Sequence, residues 1–184
     1  EDAHFFYWCD AGYIGALQGL YRQHEIDFKR LCFWVKNNQN PTPQIAFNKI
    51  CEPCVYGTTG KPHLNKNFKN ANEILNQEVT SGNQLHGELY DMIDLWIVRR
   101  DNTTEYQHPT QKPVTLNEKP LRRCSSPGHN VFSGFAGSGS DLIACEQLNR
   151  NWFGVEQDLI FATIILNRFE HFTNKQAKCV WPKQ

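Results

Sequence analysis

Three glycines stand close together in NVFSGFAGSGSDLIACEQLNRNWFGVEQD, residues 130–158: Gly134, Gly137 and Gly139. They follow a short apolar run that reads as a strand and precede one that reads as a helix. Glycine lets backbone approach a ligand where a Cβ would clash. The helix start beyond it offers N–H groups without intrahelical partners, which suit a carboxylate or phosphate. Glu156 closes the next apolar run, roughly 20 residues after the glycines, where a carboxylate can accept both hydroxyls of a ribose. Strand, glycine turn, helix, strand and acid together predict a cradle for an adenosine-containing cofactor. The alternative is a glycine-rich turn in some other α/β protein.

The elements that must position this cradle can be read along the chain. AHFFYWC (3–9) is a continuous apolar run that predicts a buried strand, and GYIGALQGLYRQ has helical spacing of Ile14, Leu17, Leu20 and Tyr21. KRLCFWVK (29–36) predicts a second buried strand, NNQNPTPQ (37–44) a loop, and CEPCVYGTTG a short strand ending in a turn. IDLWIVRR (93–100) returns to a strand, QHPTQKP is a rigid loop, and a helix is expected near 114–125. After the cradle, DLIFATIILNRFEHF is the last helix and AKCVW a candidate edge strand. Strands alternating with helices predict a three-layer α/β domain with a mostly parallel sheet.

Composition narrows the classes. The 184 residues make one domain with a sizeable core the expectation. Nineteen basic and nineteen acidic side chains cancel, so binding of a polyanion would need a local basic face. No apolar run is long enough for a membrane span, and no signal peptide is visible. Seven scattered cysteines fit a reducing, cytoplasmic setting better than a disulfide scaffold. Cys51 and Cys54, with His63 nearby, could form half a zinc site, but buried thiols are the preferred reading and no metal is expected. The chain starts at Glu1 and its only methionine is Met92, so it is expected to be a processed, truncated or excised piece.

The spelling F-x-G-S-G (Phe135, Gly137, Ser138, Gly139) departs from the G-x-G-x-x-G of nicotinamide enzymes. Placed after HPTQKP and followed by LIACEQL, GVE-D and RFE-FT, it resembles the DNA amino-methyltransferases that make N6-methyladenine or N4-methylcytosine. The order is that of the permuted β-type, and FFYWCD, FWVKNN and EPCVYGT resemble phage-borne members, which would place the protein in a bacterial or phage-infected cell. The resemblance implies S-adenosylmethionine as cofactor and a Rossmann-like methyltransferase fold. It implies that Phe135, Gly137, Ser138 and Gly139 hold the methionine end, Glu156 the ribose and Asp158 a place near the adenine. Thr110 and Lys112 would close over the cofactor from the other side. His108 is expected to pack the loop, and Trp152 and Phe153 to belong to the core.

Two departures stand out. Where the family's loop opens with Asp-Pro-Phe, this chain has Ser133 and Gly134, so the acid expected to meet the methionine amino group is replaced by Ser133. The D/N/S-P-P-Y/F/W tetrapeptide, whose polar group and prolyl carbonyl polarise the target amine, does not occur in the 184 residues. The expectation is that an upstream segment or another polypeptide carries it, and that the chain by itself is inactive. The alternative function is a non-catalytic remnant serving as a nucleic-acid-binding or structural module. DNA is the expected partner. Residues 61–88 read as an exposed insertion serving as a DNA-recognition loop, with Lys61, Lys66 and Lys69, helped by Lys36 and Lys49, as phosphate contacts.

Overall fold

A computed structural model describes residues 1–40, 48–65, 92–102, 104, 108 and 111–180. The chain divides into two compact units, Glu1–Arg100 with Arg122–Ser125, and Asp101–Leu121 with Ser126–Gln184.

The first unit contains β1 (Ala3–Trp8), α1 (Ile14–Gln23), β2 (Asp27–Asn40), β3 (Lys49–Thr59) and β4 (Leu95–Ile97). Its sheet runs in the order β1-β3-β2-β4. The β2·β4 pair is parallel, whereas β1·β3 and β2·β3 are antiparallel. The sheet is therefore mixed, which corrects the expectation of a mostly parallel one. The cause lies in the connection: the link from Asn40 to Lys49 is shorter than the dozen or so residues a parallel crossover takes. β2 continues through Asn37–Asn40, where a loop was expected; 41–44 of that stretch lie outside the described residues. β4 is shorter than the 93–100 run suggested. Of the 61–88 insertion, 66–88 lie outside the described residues.

Aromatic rings fill this sheet. Phe6 and Tyr56 are register partners and stack with centroids 4.7 Å apart. Trp8 meets Trp34 and Trp96 edge-on, and buried Trp34 donates its indole N–H to the Val98 carbonyl at 2.8 Å. Edge-to-face contacts of this kind add about 0.5–1.5 kcal/mol beyond area burial. β1 is half-buried rather than buried, because it is an edge strand with β3 as its sheet partner. α1 is held down by Tyr21, whose hydroxyl donates to the Val55 carbonyl at 3.0 Å. A Cβ at Gly57 would lie 2.6 Å from the Tyr21 ring, so glycine is what lets strand and helix approach this closely.

The second unit contains most of α2 (Val114–Cys124), then β5 (Asn130–Ser133), α3 (Ser140–Gln147), β6 (Asn151–Gly154) and α4 (Leu159–Thr173). β5 and β6 pair in parallel, Phe132 opposite Phe153 and Ser133 opposite Gly154. Two small cores form here. Leu121, Ala144 and Cys145 make one, and Ala136, Leu142 and Ile165 the other, with Trp152 packed against both. Phe153, its chain neighbour, leaves the opposite face of the strand and is 56% exposed, which corrects its expected place in the core. The expected edge strand over 177–181 is not formed at 177–180; the Ala177 N–H goes instead to the Glu170 carboxylate at 2.8 Å.

Candidate functional site

The site is a turn between β5 and α3, with β6 and the start of α4 beside it. Parallel pairing carries past the strand ends: Val155 N–H donates to the Ser133 carbonyl at 2.9 Å, and Ala136 N–H to the Val155 carbonyl at 3.0 Å. The turn closes with Gly139 N–H on the Ala136 carbonyl at 2.8 Å. Gly137 and Gly139 are left-handed, at φ +56° and +71°. At Gly139 a side chain would also meet Ile165 at 3.1 Å, so this position combines strained backbone with a tight neighbour.

Glu156 reaches back to this turn. Its Oε2 accepts the Gly137 N–H at 2.8 Å and its Oε1 the Asp158 N–H at 3.0 Å. These bonds, the Asp158 amide first and Gly137 next, hold the carboxyl below its ordinary range. The Gln157 amide adds a weaker contribution, and the carboxylate keeps remaining acceptor capacity for a ligand. Asp158, expected near an adenine, has a structural task of its own. It is the N-cap of α4, its Oδ1 accepting the N–H groups of Ile160 at 2.8 Å and Phe161 at 3.4 Å.

The other predicted residues fall as follows. Ser133 is half-buried at the tip of β5, and Phe135 is 82% exposed on the turn. Ser138 is buried, its hydroxyl 3.2 Å from that of Ser140. His108 lies beside Gly137, and its ring meets Phe161 with centroids 4.2 Å apart, a packing role as expected. Lys112 is half-buried, while Thr110 lies outside the described residues.

Lys61 is exposed after β3, whereas Lys66 and Lys69 lie outside the described residues. Lys36 pairs with Glu52 and Lys49 with Asp10, so both carry local counter-charges. Cys51 and Cys54 stand three apart on β3, which sends their side chains to opposite faces and prevents closure on one ion. No cluster of three or more metal-ligating side chains occurs among the described residues. Nor is any helix among them long and apolar enough to cross a membrane.

Sequence reasoning missed Arg168. Its guanidinium donates to the Ser138 carbonyl at 2.6 Å and to the Ser140 hydroxyl at 3.2 Å. An arginine late in a helix ordinarily reads as a solvated one, and its three-residue offset from Ile165 was the available hint.

Residues 1–167 match the DNA methylase family, and the chain belongs to that family of N6 and N4 methyltransferases. Type II methyltransferase M2.DpnII of Streptococcus pneumoniae is 26% identical over 145 residues, covering 74% of this chain and 49% of that protein. Type II methyltransferase M.HinfI of Haemophilus influenzae is 27% identical over 154 residues, covering 79% and 42%. M2.MboI of Moraxella bovis is 34% identical over 70 residues, covering 38% and 26%. The chain thus spans no more than about half the length of these curated relatives.

Solved structures agree on the fold. The M1.HpyAVI–SAM complex superposes with a TM-score of 0.70 at 22% identity, covering 91% of this chain and 74% of that one. PvuII DNA methyltransferase, cytosine-N4-specific, gives 0.67 at 14% identity, covering 94% and 68%. The fold is that of the Rossmann-like α/β S-adenosylmethionine-dependent methyltransferases, as the sequence implied, with a mixed sheet.

Proposed function

We propose that this chain forms the cofactor-binding portion of a DNA amino-methyltransferase. The cofactor is S-adenosylmethionine, and the acceptor is the exocyclic amine of adenine or cytosine in DNA. The observation that carries this reading is the bond from Glu156 to Gly137: an acid after β6 is fixed against the glycine turn after β5. Family membership and the SAM complex of a neighbour of the same fold support it.

The residues fit such a group. The turn leaves the backbone of left-handed Gly137 half-buried with no Cβ beside it, and Glu156 keeps acceptor capacity for a diol. The amide-rich start of α3 suits a carboxylate. When bound, the cofactor supplies an electrophilic methyl group on sulfur. The chain's part is to bind and orient: Glu156 holds the ribose, the turn the methionine end, and exposed Phe135 covers an edge. Thr110 and Lys112 complete the cover. Lys61, Lys66 and Lys69 meet the phosphates of DNA. Because the 184 residues contain no D/N/S-P-P-Y/F/W tetrapeptide, the group that polarises the target amine comes from another segment or polypeptide. This same feature favours a second reading, a non-catalytic remnant that retains nucleic-acid binding.

Photo-crosslinking with labelled S-adenosylmethionine tests the first reading. Label should map to the peptide 130–158, and label confined to other peptides would contradict it. Supplied with duplex DNA, the chain alone should transfer no methyl group. Transfer would overturn the assignment of the amine-polarising group to another segment.

A further inference from the structure

We propose that Arg168 is a positioning residue of the cradle, fixing the Ser138–Gly139 peptide in the orientation a cofactor meets. The inference rests on reading the glycine turn as a cofactor site, and deepens it by naming what holds that turn.

α4 presents two side chains to the turn from one face. Ile165 packs where a Cβ of Gly139 would stand, and Arg168, three residues further on, lies on the same side of the helix. Its Nη1 donates to the Ser138 carbonyl at 2.6 Å and to the Ser140 hydroxyl at 3.2 Å, so it joins the turn to the first residue of α3. On the other side of the same peptide plane, the Gly139 N–H is held by the Ala136 carbonyl at 2.8 Å. In a trans peptide the C=O and N–H point in opposite directions, so one cannot swing without the other. The plane is pinned at both ends.

Two peptides earlier, the Gly137 N–H of the Ala136–Gly137 plane is pinned by Glu156. Glu156 also holds the Asp158 N–H, and Asp158 caps α4. Both clamps on the turn therefore lead to the same helix, an acid at its start and a base near its end. The Gly137–Ser138 peptide lies between the two fixed planes, at the point where the reading above places the methionine end.

Arginine suits this task better than lysine. Its planar fork can serve two acceptors, it stays protonated, and it is less strongly hydrated when half-buried. Burial draws its pKa down, opposed by Asp101 and Asp141. Loss of the fork would leave the Ser138 carbonyl without this donor and free the plane to turn.

The test compares Arg168→Met and Arg168→Lys with the unaltered chain, using calorimetric titration with S-adenosylhomocysteine and the amide NMR signals of the ligand-free proteins. Arg168→Met should weaken binding about ten- to a hundredfold, the range expected for a charged hydrogen bond. Arg168→Lys should recover part of that loss. In both variants the Gly139 amide signal should move while those of β1 to β4 stay in place. Binding within twofold of the unaltered chain, with the Gly139 signal unmoved, would overturn the proposal. If the unaltered chain does not bind the probe, the cofactor reading fails, and the Gly139 signal still decides what Arg168 does. If Arg168→Met does not fold, Arg168→Lys decides by the same two readouts.

Discussion

The Oε2 of Glu156 accepts the N–H of Gly137 across 2.8 Å, so the acid expected to face a ribose already holds the turn that would face the methionine end. Its lowered pKa gives this a pH signature. The folded carboxyl titrates below its ordinary value of 4.5, so folding favours the charged form. The stabilisation is fully present above that pH and is lost as pH falls through the folded value. Urea unfolding across this acid range should show a decline that Glu156→Gln flattens. An unchanged profile would remove Glu156 as the clamp.

Gly139 offers a second check. An alanine there would adopt φ +71° and press a Cβ against Ile165 at 3.1 Å. A left-handed non-glycine residue costs roughly 1–2 kcal/mol, and Gly139→Ala should lose at least that in chemical denaturation. Adding Ile165→Val should return part of it by relieving the contact. A Gly139→Ala protein as stable as the parent would show that the turn is not built as described.

A third prediction concerns the first unit. His4 Nε2 donates to the His63 carbonyl at 2.7 Å, which fixes the tautomer and leaves Nδ1 to accept from the Tyr56 hydroxyl at 3.0 Å. Tyr56 in turn meets Cys124, whose thiol burial pushes up to about 12. Burial holds the His4 pKa below 6.5. Folding therefore favours the neutral ring, and stability is lost as pH falls from 6.5 through the folded value. His4→Phe should remove that slope in pH-resolved denaturation. A slope of unchanged size would assign it to other groups.

How much of this was legible in the sequence depends on what each residue's role rests on. Gly137, Gly139 and Glu156 announce themselves because turn and acid are a local pattern separated by one helix. β5, α3 and β6 follow from the same stretch. The antiparallel pairings of β3 were not visible, because a run such as CEPCVYGTT carries no record of its neighbour's direction. Phe153 was misplaced because an apolar run on a strand exposed on one face looks like a buried one. Arg168 was missed because its shorter bond goes to a backbone carbonyl 30 residues away, and backbone leaves no trace in residue type. Asp158 was expected near an adenine and not at a cap, although an acid directly before the LIFATIIL run suits an N-cap.

The proposed DNA contact predicts a salt response. With nineteen basic and nineteen acidic side chains cancelling, contact with phosphate needs a local basic patch, and Lys61 is the described residue of the one proposed. Binding to duplex DNA should be weak and should fall steeply between low and physiological salt. Lys61→Ala should shallow that dependence in a fluorescence-anisotropy titration. Binding indifferent to salt would exclude the patch as the main phosphate contact.

The most direct measurement of the central claim is calorimetric titration of S-adenosylmethionine into the unaltered chain, Ser133→Asp and Glu156→Ala. Ser133 ends β5 opposite Gly154, at the position where the resemblance implies an acid facing the methionine amino group. A charged hydrogen bond contributes about 1.5–3 kcal/mol, of which a serine hydroxyl recovers a part. Restoring the acid should therefore tighten binding by about ten- to a hundredfold, and Glu156→Ala should weaken it relative to the unaltered chain. Ser133→Asp binding no tighter than the unaltered chain would contradict the placement of the cofactor in this turn.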